Sequence, residues 1–204
     1  MSDAHASAAR ALWDAEAGAF DEEPDHGLRD PQIRAAWASL MVETLGTAHL
    51  HVADLGCGTG SLSLLLHELG HDVTGLDVSP RMLERARQKA KAGSAIRFVE
   101  GDAAEPDLPL GAFDVILCRH VLWSLPDPVA ALARWAQLLM PGGILCLIEG
   151  VWHTGVGLTA DQARAALPPP LRWTGTRRLS GHHALWGRPV SDDRFLITAR
   201  HRSW

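Results

Sequence analysis

The stretch from residue 52 to residue 60, Val-Ala-Asp-Leu-Gly-Cys-Gly-Thr-Gly, constrains the fold of this chain more than any other. An apolar run, a group of glycines and a leucine-rich segment predict a strand, a tight turn and a helix. Glycines let the backbone turn sharply and approach a ligand without a Cβ in the way, and the first turn of the helix presents unpaired N–H groups. We therefore expect a nucleotide-like ligand at this turn.

The chain beyond this turn alternates between short apolar runs and amphipathic segments. Strands are predicted at residues 50–55, 72–76, 96–99, 113–117 and 144–148, and helices at 61–69, 80–91 and 128–140. After residue 150 the pattern weakens to a short helix at 160–167, a faint strand signal at 176–179 and a last strand at 195–199. Apolar strands that alternate with helices indicate a parallel sheet covered on both faces, so the predicted fold class is α/β.

The N-terminal part of the chain is predicted to be helical. An alanine-rich segment at 5–17 favours a short helix, and Pro31 begins a second helix that runs to Leu45. Between them, residues 21–27 are polar and are broken at Pro24, which predicts either a solvated linker or a lid over a site. We expect a single domain, with residues 1–46 as an N-terminal helical cap or lid, 50–150 as the cofactor-binding core and 151–204 as the C-terminal part of the sheet.

The composition excludes several classes of partner. The formal net charge of −5 is spread through the chain and leaves no electrostatic footprint for nucleic acid or an anionic membrane. No apolar run reaches the ~18 residues that span a bilayer and no signal-peptide pattern opens the chain, so a cytoplasmic location is expected. Cys57, Cys118 and Cys146 lie in or beside apolar runs and are expected to be reduced and structural. The composition therefore favours a small, neutral or cationic molecule as the partner. It does not predict the oligomeric state of the chain.

The spacing of the glycines and the acidic residues narrows the ligand. A dinucleotide fingerprint has glycines at its positions 1, 3 and 6, whereas here they stand at 56, 58 and 60. Asp77 ends the second predicted strand, where a carboxylate either accepts hydrogen bonds from ribose hydroxyls or caps the next helix. Asp102 follows the third strand, and Asp54 stands beside the glycine turn. Acidic groups without a lysine at the loop disfavour a phosphate ligand and favour a cationic one.

In the order of these motifs the chain resembles the class I S-adenosylmethionine-dependent methyltransferases of the small-molecule type. Residues 52–60 resemble the family's first motif, 76–79 (Leu-Asp-Val-Ser) its second acidic position and 101–103 (Gly-Asp-Ala) its adenine-contacting turn. Residues 113–128 and 138–150 resemble the segments that follow in the same order. The resemblance implies a Rossmann-like, doubly wound sheet of seven strands in the order 3-2-1-4-5-7-6, mostly parallel with the last strand antiparallel.

The resemblance also implies S-adenosylmethionine as the cofactor and S-adenosylhomocysteine as its product. It places Asp54 and Gly56 near the amino end of the methionine part, Asp77 on the ribose and Asp102 on the adenine. The cofactor-binding residues expected on this basis are Asp54, Gly56, Cys57, Gly58, Gly60, Asp77, Val78, Gly101, Asp102, Ala103 and, through its backbone, Arg119.

Residues for the methyl acceptor are expected beyond the carboxyl ends of the fourth and fifth strands and in the N-terminal segment. His120 is the expected base or substrate-orienting residue, because an imidazole titrates near neutral pH; the alternative is a backbone hydrogen bond only. Glu149 is the second expected catalytic residue, which either binds substrate or pairs with Arg119. The expected substrate-binding residues are Trp13, Phe20, His26, Trp123, Trp152 and His153.

No metal site is expected, because the adjacent histidines His182 and His183 point in different directions and lack ligand spacing. The favoured function is methyl transfer to an O or N atom of a small, aromatic or heteroaromatic molecule. One alternative is an RNA or protein methyltransferase, which the absence of a basic patch disfavours. Another is a non-catalytic module that binds the adenosyl cofactor, and an NAD-dependent oxidoreductase is disfavoured by the glycine spacing.

Overall fold

The computed structural model describes residues 2–202, and its strands form a single mixed sheet. Within that range the sheet has seven strands in the order β3-β2-β1-β4-β5-β7-β6. The strands β1 to β5 run parallel, and β7 lies antiparallel between β5 and β6. The strands are β1 (His51–Leu55), β2 (Asp72–Asp77), β3 (Arg97–Glu100), β4 (Phe113–Arg119), β5 (Leu139–Val151), β6 (Leu171–Arg178) and β7 (Asp193–His201). The predicted fold is confirmed.

Helices cover both faces of this sheet. They are α1 (Ser2–Glu16), α2 (Pro24–Gly27), α3 (Pro31–Leu45), α4 (Ser61–Glu68), α5 (Pro80–Lys89), α6 (Pro128–Leu138), α7 (Ala160–Ala165) and α8 (His183–Trp186), with 3-10 turns at Phe20–Glu22 and Leu122–Ser124. Local capping explains where several of them begin. The side chains of Asp30, Ser79 and Asp127 each accept a hydrogen bond from an amide in the first turn, and a proline follows each of them.

Two apolar clusters sandwich the sheet. Alternate residues of β4 point to opposite sides, so Ile116 joins the cluster under α6 while Leu117 joins the cluster under α3, α4 and α8. Each cluster contains a fully buried tryptophan whose indole N–H is satisfied. Trp135 donates to the carbonyl of Ala103, and Trp37 donates to the carbonyl of Leu185.

The N-terminal segment is more helical than its sequence predicts. The helix α1 is longer than its narrow apolar face suggests, because contacts to other parts of the chain hold it, including an ion pair from Arg10 to Glu100. Pro24 begins the short helix α2 and does not end one, since a proline at the first helical position lacks only an N–H that would have no helical partner.

The strand β6 starts five residues earlier than the faint signal at 176–179 predicts. Its side chains are mostly exposed and polar, so its sequence carries little apolar pattern. Backbone pairing with β7 forms the strand, with an irregularity between Trp173 and Gly175. No helix in the described part of the chain is both long and apolar enough to cross a membrane.

Candidate active site

A cavity of about 850 Å³ opens at the carboxyl ends of the parallel strands, where β1, β2 and β4 deliver Asp54, Asp77 and Arg119. Residues from the N-terminal segment and from the loop before β7 complete its wall. The predicted site residues that it brings together are Trp13, Phe20, His26, Asp54, Gly56, Cys57, Gly58, Asp77, Val78, Asp102, Ala103, Arg119, His120, Trp123, Trp152 and His153. Gly60, Gly101 and Glu149 lie outside the lining.

The glycine turn after β1 leaves no space for a side chain at Gly56. Gly56 has a φ of +75°, and a Cβ at this position would lie 2.3 Å from Cγ2 of Val121. Gly58 has a φ of +55°, and its Cβ would touch the ring of Phe20 at 3.4 Å. The turn is therefore packed against the segment after β4 on one side and against the N-terminal segment on the other.

Three carboxylates line the cavity together with this turn. Asp77 is 8% exposed, and its Oδ2 accepts the N–H of Gly58 at 2.8 Å while its Oδ1 accepts the N–H of Ser79 at 2.9 Å. Asp54 is 3% exposed and accepts a hydrogen bond of 2.6 Å from the hydroxyl of Ser63. Burial raises the pKa of Asp77 and raises the pKa of Asp54 to about 6, against the opposing effect of the Ser63 hydrogen bond. The third carboxylate, Asp102, accepts the N–H of Ala104 at 2.8 Å.

Aromatic rings form a continuous row along the rest of the cavity. Trp13 meets Phe20 edge to face with 6.1 Å between ring centroids, and Phe20 stacks on His26 at 4.3 Å. His26 faces His120 at 6.5 Å, and His120 meets Trp152 at 4.5 Å. We call these five residues the aromatic row. The N-terminal segment and the ends of β4 and β5 thus contribute to one surface.

His120 has an unusual backbone and an unusual environment. Its φ is +61°, a left-handed conformation that few non-glycine residues adopt, and its N–H donates to the carbonyl of Ile148. Its Nε2 is buried and has no hydrogen-bond partner among the described residues. Burial, and then the positive charge of Arg119, hold the pKa of His120 well below its usual value, so the imidazole is neutral at physiological pH.

Glu149 is fully buried behind the segment that carries His120. Its Oε1 accepts the N–H groups of Val121 at 3.1 Å and of Leu122 at 2.7 Å. Arg119, the other partner expected for Glu149, donates to the carbonyl of Asp25 at 2.6 Å and lies 5.1 Å over the ring of Trp37. Burial raises the pKa of Glu149 to about 8, and the amides of Leu122, Val121 and Trp123 oppose that shift. This carboxylate therefore holds the turn after β4 from behind.

Polar contacts tie the N-terminal segment to the glycine turn after β1 and to the turn after β2. Asp14 accepts the hydroxyl of Ser79 at 2.6 Å. Asp21 accepts the hydroxyl of Thr59 and forms an ion pair of 2.8 Å with Lys89, which also bonds to Thr59. The sequence places no lysine within the glycine turn, but Lys89, at the end of α5, reaches Thr59 of that turn in the folded protein. Lys89 does not line the cavity.

Sequence reasoning missed a cluster of charged residues near His120. Arg194 lies 4.3 Å over the ring of Trp186 and 5.3 Å over the ring of Trp152. Its guanidinium pairs with Asp192 at 2.8 Å and lies 3.7 Å from Asp25. No motif marks these residues, because they come from opposite ends of the chain; the one sequence signal is the polar stretch at 21–27, which predicts either a linker or a lid.

The central part of the chain is similar to known methyltransferases. A family described as a methyltransferase domain matches residues 53–147. The ubiquinone biosynthesis O-methyltransferase of Xanthomonas oryzae is 34% identical over 150 residues, which make up 71% of this chain and 58% of that protein. The chain therefore spans less than two thirds of the length of the curated relatives that it matches.

Solved structures share the fold at lower identity. N-methyltransferase NodS from Bradyrhizobium japonicum, in complex with S-adenosyl-L-homocysteine, matches with a TM-score of 0.70 at 22% identity. The match covers 93% of this chain and 98% of the NodS chain. The [4+2]-cyclase SpnF matches with a TM-score of 0.69 at 20% identity, and the match covers 83% of this chain and 82% of the SpnF chain. Such likeness shows the fold alone, since one fold can carry different reactions.

The family match begins inside β1 and runs into β5, so it contains the glycine turn, Asp77, Asp102 and the turn after β4. These are the same elements that the sequence motifs predicted in the same order. Together, the domain match over residues 53–147 and the curated relatives support a class I S-adenosylmethionine-dependent methyltransferase domain in this chain.

Proposed function

We propose that this protein transfers a methyl group from S-adenosylmethionine to an oxygen or nitrogen atom of a small aromatic or heteroaromatic acceptor. The observation that carries the proposal is one cavity of about 850 Å³ lined by both the acidic glycine turn and the aromatic row. Its volume lies within the range of about 300–1,000 Å³ that is typical of small-molecule sites. The name of the Xanthomonas relative favours oxygen as the methylated atom.

The residues around the glycine turn fit an adenosyl cofactor that carries a positive charge. Each oxygen of Asp77 accepts one amide hydrogen bond, and a carboxylate oxygen has a second lone pair to offer a ribose hydroxyl. Asp54 and Asp102 add negative charge, and Gly56 and Gly58 let the backbone approach closely. When bound, S-adenosylmethionine supplies a methyl group on a positively charged sulfur. The main tasks of the protein are then to align the acceptor and to exclude water.

The aromatic row is proposed as the wall against which the acceptor ring packs. Tryptophan, phenylalanine and histidine rings offer flat contact area to a flat ligand, and Trp123 adds a further ring to the lining. The N-terminal segment is proposed as the cap that keeps water out, because Asp21 holds it on the glycine turn and Asp14 holds it on the turn after β2. His120 stands within the row and is proposed to take or orient the proton of the acceptor.

Calorimetry followed by turnover tests the proposal. We expect S-adenosylhomocysteine to bind the wild type with a single site and to bind Asp77→Asn more weakly, because the variant loses the negative charge that accepts from Gly58 and the ribose. Methyl transfer is then measured against a panel of phenols, aromatic amines and aliphatic acceptors. Binding without turnover on any acceptor would indicate a non-catalytic module, and turnover on aliphatic acceptors only would contradict the aromatic assignment.

Replacing His120 separates a chemical role from a backbone role. Asparagine tolerates the left-handed backbone at this position, so His120→Asn removes the imidazole with little added strain. We expect its kcat to fall by about 100-fold, the size of a general-base contribution, while its affinity for S-adenosylhomocysteine stays unchanged. Because the pKa of His120 is lowered, the base form persists as pH falls, and wild-type activity stays level from pH 8 to about 6.5. Full turnover by His120→Asn would remove the residue from the mechanism.

A further inference from the structure

A group of potential metal ligands lies at the amino ends of the parallel strands, at the opposite end of the strands from the candidate active site. The pairing of β1 with β2 places His51 directly opposite Asp72, and His49 lies two residues before His51. All three side chains are more than half exposed. We call these residues the His49–His51–Asp72 cluster; none of them lines the cavity of the candidate active site.

The hydrogen bonds of His49 leave two acceptors facing each other. Its Nδ1 lies 2.5 Å from the carbonyl oxygen of Gly70, and since a carbonyl can only accept, Nδ1 carries the proton. In the neutral ring Nε2 then carries a lone pair, and it points at Oδ2 of Asp72 from 3.1 Å. His51 brings its own Nε2 to 3.3 Å from the same oxygen. A cation between these atoms removes the repulsion, and the candidates are a proton or a metal ion.

We propose that the His49–His51–Asp72 cluster binds a borderline divalent metal ion such as Zn²⁺ or Co²⁺. Two imidazoles and a carboxylate are the donors that such ions prefer, whereas Mg²⁺ and Ca²⁺ require mainly oxygen ligands. With zinc–ligand bonds of about 2.0–2.1 Å, neighbouring ligands of a tetrahedral site lie about 3.3 Å apart. Two of the three ligand separations in the cluster already match this value, and all lie within 4.8 Å.

The bond from His49 to Gly70 is itself typical of a metal ligand. A metal-bound imidazole usually donates its other ring N–H to a carbonyl or a carboxylate, which sets the tautomer and the orientation of the ring. Here that partner is in place on the turn between α4 and β2. The open side of the cluster adjoins a smaller cavity of about 300 Å³ that His51 and Asp72 help to line, which gives water access to complete the coordination.

Local charge favours this cluster over a second group with the same donors. Asp25, His26 and His120 also bring two imidazoles and a carboxylate together, but Arg119 and Arg194 lie beside them and oppose a further cation. Around the His49–His51–Asp72 cluster, Asp114 adds a carboxylate that accepts the N–H of His51, and its negative charge acts on His49. Among the described residues that line the adjoining cavity, Arg97 is the cation, whereas Asp72 and Asp114 place two carboxylates at the cluster.

The test is a titration of the full chain, freed of metal, with Co²⁺ followed by absorbance and with Zn²⁺ followed by calorimetry. We expect one equivalent to bind and to raise the melting temperature, because the metal joins the starts of β1 and β2 in the folded state only. His51→Gln and Asp72→Asn each remove a ligand, and each is expected to weaken binding at least as much as the loss of an outer partner does, about 10- to 100-fold. The matched control is His182→Gln, which removes another exposed histidine.

The outcomes separate the possibilities. Retained binding in the control together with loss in both ligand variants, with circular dichroism showing that all remain folded, supports the site. Equal binding by the wild type, His51→Gln and Asp72→Asn would overturn it. So would the absence of any absorbance change at millimolar Co²⁺, which would leave the proton as the cation between these groups. Loss of binding in His26→Gln with no loss in His51→Gln would move the metal to the other group.

Discussion

Gly56→Ala is expected to destabilise the protein by about 3 kcal/mol and to reduce methyl transfer by about 100-fold. The added Cβ would lie 2.3 Å from Cγ2 of Val121 and 3.1 Å from its Cγ1. Val121 is a stiff, β-branched side chain next to His120, so it cannot move away without shifting the turn after β4. The φ of +75° at Gly56 adds backbone strain to the collision.

A matched control isolates the collision from the strain. Gly111→Ala shares a positive φ, of +63°, yet nothing lies within 4 Å of its added Cβ. It is therefore expected to cost only about 1–2 kcal/mol of backbone strain and to leave S-adenosylhomocysteine affinity unchanged. Denaturant unfolding gives the two stabilities, and calorimetry with turnover gives the functional effect. Equal losses in the two variants would mean that contact with Val121 is unimportant.

Glu149→Ala is expected to cost about 4 kcal/mol. The truncation leaves the N–H groups of Val121 and Leu122 without an acceptor in a buried environment and opens a cavity beneath the turn that carries His120. Glu149→Gln keeps an oxygen for both amides, so this variant should remain folded and active. Turnover that survives in Glu149→Gln assigns the residue to support of the turn, and a loss comparable to that of His120→Asn would assign it to chemistry.

The pH dependence of stability tests the same carboxylate. Its pKa is raised from 4.5 to about 8 in the folded protein, so between these values the folded state binds the extra proton. Wild-type stability therefore falls as pH rises through this window, by up to about 1.4 kcal/mol per unit, and levels off above it. Glu149→Gln cannot ionise and should lack this contribution, so it should match the wild type near pH 5 and exceed it near pH 8. Parallel unfolding curves for both proteins across this range would contradict the assignment.

Much of the fold and the glycine turn after β1 could be predicted because their signals are local. The strand, glycine turn and helix around Gly56 lie in one short stretch, and Ser79 caps α5 within a few residues of Asp77. The order of the strands followed from a family resemblance over residues 50–150, not from the residue pattern itself. The strand β6 was only partly predicted, because it forms by backbone pairing with β7 and its mostly exposed side chains show no apolar pattern.

The functional surroundings were harder to predict because they depend on residues far apart in the chain. The sequence nominated Glu149 as catalytic or as a partner of Arg119, and only the packed structure shows it bonded to the amides of Val121 and Leu122. Likewise, no motif marks His49 and His51 as metal ligands, and only the pairing of β1 with β2 places Asp72 beside them. By itself, the sequence determined the family resemblance, the fold class and the glycine turn after β1, since each of these depends on contiguous motifs. Only the tertiary structure decided which charges and rings meet, because a pKa or a ligand set depends on distances in space that spacing along the chain does not encode.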